Sequence, residues 1–181
     1  VAIMICLAAV GLILISSLID WNISRSIGLP SDSDNDYFTT ALAFALIPIV
    51  GALAAMGEPR NAVGWVLLVV GFSVGLAAIS GPLATYYEVV EVNPINSAIA
   101  GWLGTLGWFG GLLTLLCIFP LIFPDGHVLK GRLWRTVFIG SCLYVALIIV
   151  SIFVNGLMLY ARYQVFPGSD AGPVTEQLIP L

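Results

Sequence analysis

Long apolar runs separated by short polar segments organise this chain. Five runs come near the roughly 20 residues a helix needs to cross a hydrocarbon core. They cover about 1–19, 38–56, 63–82, 98–123 and 136–159. The connections between them are 20–37, 57–62, 83–97 and 124–135, and a Pro/Gly-rich segment runs from 160 to 181. Within each run the apolar positions are continuous rather than alternating, which argues against a strand barrel. Helices also satisfy every backbone donor and acceptor within their own segment, as lipid requires. The pattern predicts an all-α fold: a polytopic membrane helix bundle with about five transmembrane helices, forming one domain over 1–181.

Composition supports that class. The chain is 60% apolar and only 9% charged, with a mean hydropathy of +1.06. Soluble domains carry roughly 25% charged residues. Too little polar surface exists here to cover a water-facing fold, so lipid is the expected solvent and partner. The formal net charge of −4 comes with no basic stripe, which excludes a nucleic-acid partner of the usual kind.

The placement of charge predicts orientation. Arg60, Lys130, Arg132 and Arg135 fall in the 57–62 and 124–135 connections, whereas Arg25 and Arg162 fall on the opposite side. Basic residues favour the cytoplasmic face, so these four are expected to fix topology and touch anionic headgroups, with the N-terminus cytoplasmic. The acids sort the other way: Asp20, Asp32, Asp34, Asp36, Glu88, Glu91, Asp170 and Glu176 fall outside. The chain is apolar from Val1, and "FPGSDAGPVTEQLIPL" (166–181) reads as a loop leading toward another span. Both ends suggest a piece of a longer protein.

Chemistry along the chain is sparse. The three cysteines, Cys6, Cys117 and Cys142, lie in apolar runs without metal-type spacing and read as small buried hydrophobes. His127 is the one histidine, and with Asp125 alone it makes no metal site. No nucleophile stands beside a base, and "GWFGG" (107–111) lacks the Lys-Ser/Thr ending of a phosphate loop. Catalytic, cofactor and metal residues are therefore all expected to be none. With Asp20 placed outside, the span interiors offer only Ser, Thr, Asn155 and aromatic groups, which disfavours a transporter or channel.

Two patterns remain. Small residues recur at Ala100, Gly104, Gly107 and Gly111 on the fourth span, and at Gly64, Gly71, Gly75 and Ala78 on the third. Such spacing lets backbones approach closely, so spans three and four are expected to pack tightly through it. Pro48 and Pro120 interrupt their spans and are expected to bend them. In the 83–97 connection, Tyr86, Tyr87, Glu88 and Glu91 place acids beside aromatic rings, as does the acidic run "SDSDND" (31–36). Rings and carboxylates together suit a cation or a cationic peptide.

"PRNAVGWVLLVVG" (59–71), "WLGTLGW" (102–108) and "FPDGHVLKGRLWR" (123–135) follow one another in that order. The succession resembles the N-terminal multi-span region of a group of bacterial sensor histidine kinases, common in actinobacteria and Chloroflexi-type organisms. The resemblance covers about 37–160. Ala62-Val63 stands where that group usually has Pro-Ile, and His127 where it usually has Arg. The resemblance implies a sensory membrane module of the bacterial inner membrane in a two-component system, with the phospho-acceptor and ATP-binding parts absent from these residues. A structural or accessory subunit of a respiratory or photosynthetic membrane complex is the competing expectation. A homodimer or a complex partner is expected in either case.

Overall fold

The structure, a computed structural model, describes residues 1–26, 34–123, 126 and 131–165, with side chains described for all of these except 26, 34–38 and 158–165. It is built from α1 (Ala2–Ser26), α2 (Asp34–Gly57), α3 (Ala62–Val89), α4 (Pro94–Leu113), a π-helical turn (Thr114–Ile118), α5 (Phe119–Ile122) and α6 (Arg132–Val165). Among the described residues there is no strand. Five helical stretches are long and apolar enough to cross a membrane, with α4, the π turn and α5 forming one of them. This is an all-helical fold compatible with a multi-pass membrane protein.

Helices run past the ends of the apolar stretches that predict them. The connection expected at 20–37 is shortened because α1 continues to Ser26 and α2 starts at Asp34. The one expected at 83–97 shrinks to 90–93, between the end of α3 and the start of α4. Hydropathy marks where side chains change character. A helix pays no backbone penalty for continuing into a polar zone, since its bonds stay internal.

The core of the bundle is α3, which packs against α1, α2 and α4. Each neighbour approaches through residues with little or no side chain. Toward α2, a Cβ added at Gly51 would lie 2.8 Å from Leu68 N, and one at Gly71 would lie 2.6 Å from Pro48 Cβ. Gly71 is thus the notch that receives the Pro48 ring. Gly64 abuts the Ala55 backbone in the same seam. Toward α1, a Cβ at Gly75 would sit 2.9 Å from Ala9 O, and Ser16 Oγ donates a 2.8 Å hydrogen bond to Ala78 O. Toward α4, a Cβ at Gly107 would meet Ser73 O at 2.6 Å and Ala77 N at 2.7 Å. Gly104 faces Ser80, and Gly111 faces Ser73. Leu68 and Val70 on α3 are among the most deeply buried side chains.

The close approach of spans three and four is therefore present, but the two glycine stripes do not face each other. Gly104, Gly107 and Gly111 meet Ser73, Ala77 and Ser80. Gly71 and Gly75 turn to α2 and α1 instead. The reason is α3's central position: it has three partners, so its small residues are divided among three faces.

Two turns sit together at one end of the bundle. Glu58 N–H donates to Ala54 O and Asn61 N–H to Glu58 O. Asn61 caps α3, its side chain accepting from Val63 N–H at 2.9 Å, and Trp65 Nε1 donates to Pro59 O at 2.9 Å. Pro59 lies in this turn, and α3 begins at Ala62. Gly126 has a φ of 72°, the left-handed region that favours glycine. It donates its N–H to Ile122 O at 2.8 Å and abuts the Asn61 side chain. Pro120 explains the π turn. Proline cannot donate to a residue four back, and its ring crowds that carbonyl. Just before it, Phe119 N–H reaches five residues back to Thr114 O, the spacing of a π turn. Pro48, by contrast, lies within an uninterrupted α2.

The Gly107 seam generates a prediction. Gly107→Ala places its methyl against backbone atoms that have no side chain to move, whereas Gly110 has only Ser73 Oγ at 3.8 Å. Gly107→Ala is expected to destabilise the bundle by about 1–3 kcal/mol, the usual range for overpacking, and Gly110→Ala to be close to neutral. Unfolding titrations in mixed micelles measure both; equal stability of the two variants would contradict the seam.

Candidate functional site

The ends of the bundle differ in charge. Arg60 is exposed in the 58–61 turn, and Arg132 and Arg135 are exposed in the first turn of α6. The Gly126–Asn61 contact brings these two connections side by side. Lys130, with Pro124, Asp125 and His127, lies outside the described residues. At the opposite end are Asp20 on α1, Glu88 near the end of α3, and Glu91 in the turn that follows. Arg25 is also there, its guanidinium 4.3 Å above the Trp21 ring.

The four residues expected in one outer loop are divided between the last turns of α3 and the turn that follows it. Tyr86, Tyr87 and Glu88 are on α3, because the helix reaches Val89. Tyr86 and Tyr87 make an edge-to-face ring pair with centroids 5.5 Å apart. Tyr86 also lines a cleft of about 350 Å³ with Ile19, Asn22, Ile23, Leu83 and Val90. Glu88 is turned to α4, where it accepts from Ser97 Oγ at 2.9 Å. There it braces the α3–α4 connection. Glu91 is exposed. Asn93 caps α4, accepting from Asn96 N–H at 3.2 Å, with Pro94 at the first helical position. The side chains of the acidic run 31–36 likewise all lie outside the described ones.

A second cavity was not foreseen from sequence. It has a volume of about 390 Å³ and lies between α1, α2 and α3, lined by Ile13, Ser16, Ser17, Asp20, Thr40, Ala41, Phe44 and Ala78. Ending the first span at residue 19 put Asp20 in a loop. The helix continues, so Ser16 and Asp20, four apart, share one face. The available signal was the "SSLID" spacing (16–20), read as a helix rather than as a span end. Asp20 is partly buried on α1, one residue past the apolar stretch 1–19, in a helix, Ala2–Arg25, that is long and apolar enough to cross a membrane.

The attachment of α6 is also informative. Only 6% of its most apolar window is buried, against 22–33% in the other four spans. Its packing is against α4 and the π turn. The principal joint is Trp102, whose Nε1 donates to Ile152 O at 2.8 Å. The Trp102 ring stacks obliquely on Phe153, centroids 5.5 Å apart, and fills the gap left by the missing side chain of Gly156. Asn155, expected to form an interfacial hydrogen bond, donates to Ser151 O at 2.8 Å within its own helix.

Among the described residues, no group of three or more His, Cys, Asp or Glu side chains is placed to hold a metal ion. The three cysteines are free and partly buried. In comparisons with known proteins, no family model, no curated protein and no solved structure matches the chain.

The 90–93 turn yields a prediction. Val92 has a φ of 43° and is 73% exposed. A left-handed β-branched residue costs about 1–2 kcal/mol, and exposure means that little packing offsets it. Val92→Gly removes that cost but adds about 0.5–1 kcal/mol of chain entropy. The net expectation is a more stable protein, by about 0.5–1 kcal/mol. A lower unfolding midpoint for Val92→Gly would refute the strained turn.

Proposed function

We propose that this chain is a non-catalytic sensory membrane module of the bacterial inner membrane, with its N-terminus and the 57–62 and 124–135 connections cytoplasmic. A stimulus at the acidic end biases helix packing, and the bias passes to an output domain beyond these residues. The observation that carries the reading is the unequal packing of the spans. Four of them share a tight body around α3, while α6, among the described residues, packs on α4 and the π turn, chiefly through Trp102. A helix bound this lightly to a rigid body can shift or rotate between discrete arrangements, as transmembrane switching requires. The succession of turn, Trp-rich span and basic cluster, similar to that of sensor histidine kinases, supports the same reading. The complete coding sequence tests it: an output domain after Leu181 is expected. A frame that closes soon after Leu181, with no regulator encoded alongside, would overturn it.

The exposed α6 also favours a second reading, an accessory subunit whose α6 is covered by another protein of a larger membrane complex. Purification in mild detergent separates the two, since an accessory subunit leaves the membrane with stoichiometric partners. A transporter or channel has less support.

Orientation has its own test. Neutralising Lys130, Arg132 and Arg135 together is expected to lower the fraction of chains with the 124–131 segment cytoplasmic, each charge contributing about 1 kcal/mol at an anionic surface. Reporter fusions in that segment read this directly; unchanged reporter activity would count against the orientation.

A further inference from the structure

We infer that the cavity between α1, α2 and α3 is a binding site for a small organic cation, a protonated amine whose ammonium group sits against Asp20 and the hydroxyl oxygens of Ser16, Ser17 and Thr40. The argument starts from how the hydroxyl protons are used. Ser16 Oγ donates to Ala78 O at 2.8 Å, and Ser17 Oγ donates to Ile13 O at 3.2 Å. A serine hydroxyl has one proton. Both are committed to backbone carbonyls, so the two oxygens can offer only lone pairs to anything in the cavity. An ionised Asp20 likewise only accepts.

Asp20 has no hydrogen-bond or ion-pair partner among the described residues, and Arg25, the basic residue nearest to it in the chain, is stacked on Trp21. The wall therefore presents several acceptors and a carboxylate without an internal cation. Its complement is a group with several donors and a positive charge, which an ammonium supplies in one atom. A partly buried carboxylate on a helix long and apolar enough to cross a membrane is by default a candidate functional group.

Size and lining select the rest of the ligand. A volume of about 390 Å³ falls in the range of small-molecule clefts, roughly 300–1,000 Å³. Hard divalent ions are held by several oxygens, usually with more than one carboxylate; one carboxylate in a space this large suits them poorly. Ile13 and Phe44 supply an apolar wall for the carbon body of the ligand.

Calorimetric titration of the purified chain in nanodiscs tests the site, with butylammonium chloride as probe and 1-butanol as its neutral counterpart. Saturable butylammonium binding is expected, with none for 1-butanol. Asp20→Asn is expected to weaken it at least tenfold, Asp20→Glu to retain most of it, and Thr40→Val to weaken it several-fold. Thermal unfolding of each variant separates lost binding from lost fold. If Asp20→Asn does not fold, Thr40→Val and Ser17→Ala carry the test, and unchanged binding in both overturns the proposal. So does undiminished binding by a folded Asp20→Asn, equal binding of 1-butanol, or saturable uptake of sodium alone with none of the amine. Binding is read here without any signalling output, so its failure and that of the sensory reading are distinguishable.

Discussion

The approach of one backbone to three others is the constraint on which this bundle rests. In lipid there is no hydrophobic drive between helices, because the solvent is as apolar as the side chains. What remains is contact between surfaces shaped to meet. Here α3 supplies that surface on three sides, and its neighbours come near enough that a single added Cβ at Gly64, Gly75 or Gly107 would strike main-chain atoms. Dispersion is weak per atom pair and adds up only where atoms are close. Glycine, alanine and serine therefore occupy the places that leucine or phenylalanine would fill in a water-soluble core.

That constraint also explains what lies around the body. The α1–α3 seam closes tightly at Ala9 and Gly75, and beyond the Ser16–Ala78 bond it opens toward larger residues. The two clefts at the acidic end flank α1, one between it and the end of α3 and the other between α1, α2 and α3. At the other end the turn that carries Arg60 is braced by Asn61 and Trp65, and Gly126 abuts Asn61. The fourth helical span mediates between this body and α6, with one face of small residues for α3 and a tryptophan for α6. The same span thus carries two opposite packing strategies, a flat surface on one side and a knob on the other.

Much of this was legible in the sequence, and the failures have a common physical cause. Five spans, the tight 57–62 turn, the Asn61 cap and the Gly104/Gly107/Gly111 face follow from hydropathy, capping chemistry and residue size, all of which are local. Helix ends were misjudged because hydropathy reports the solvent of a side chain, and α1 and α3 extend beyond the apolar zone by continuing their own hydrogen bonds. That single error moved Asp20, Tyr86, Tyr87 and Glu88 from helices into loops. It concealed the acceptor-lined cavity and gathered into one imagined loop four residues that point to different partners. Which helix Gly71 or Gly75 would face was beyond any one-dimensional pattern, since it depends on α3 having three neighbours. The Trp102–Gly156 joint spans 54 positions of the chain, and neither residue by itself signals the other.

The π turn at Thr114–Ile118 has a consequence for the facing of the fourth span. Buried positions on its first part include Gly107, Gly110, Gly111 and Thr114, and the next buried residue in the span is Ile122. Eight residues of an uninterrupted α-helix would leave Thr114 and Ile122 about 80° apart around the axis. A wide turn absorbs one residue, reducing the separation to about 20°. The extra residue is thus a phase correction: it keeps the lower part of the span, and the Ile122–Gly126 bond that ends it, turned to the same side as the glycine face above. Losing one residue there would give a regular α-helix with the same facing, whereas straightening the turn with every residue kept would swing Ile122 about 100° around the axis.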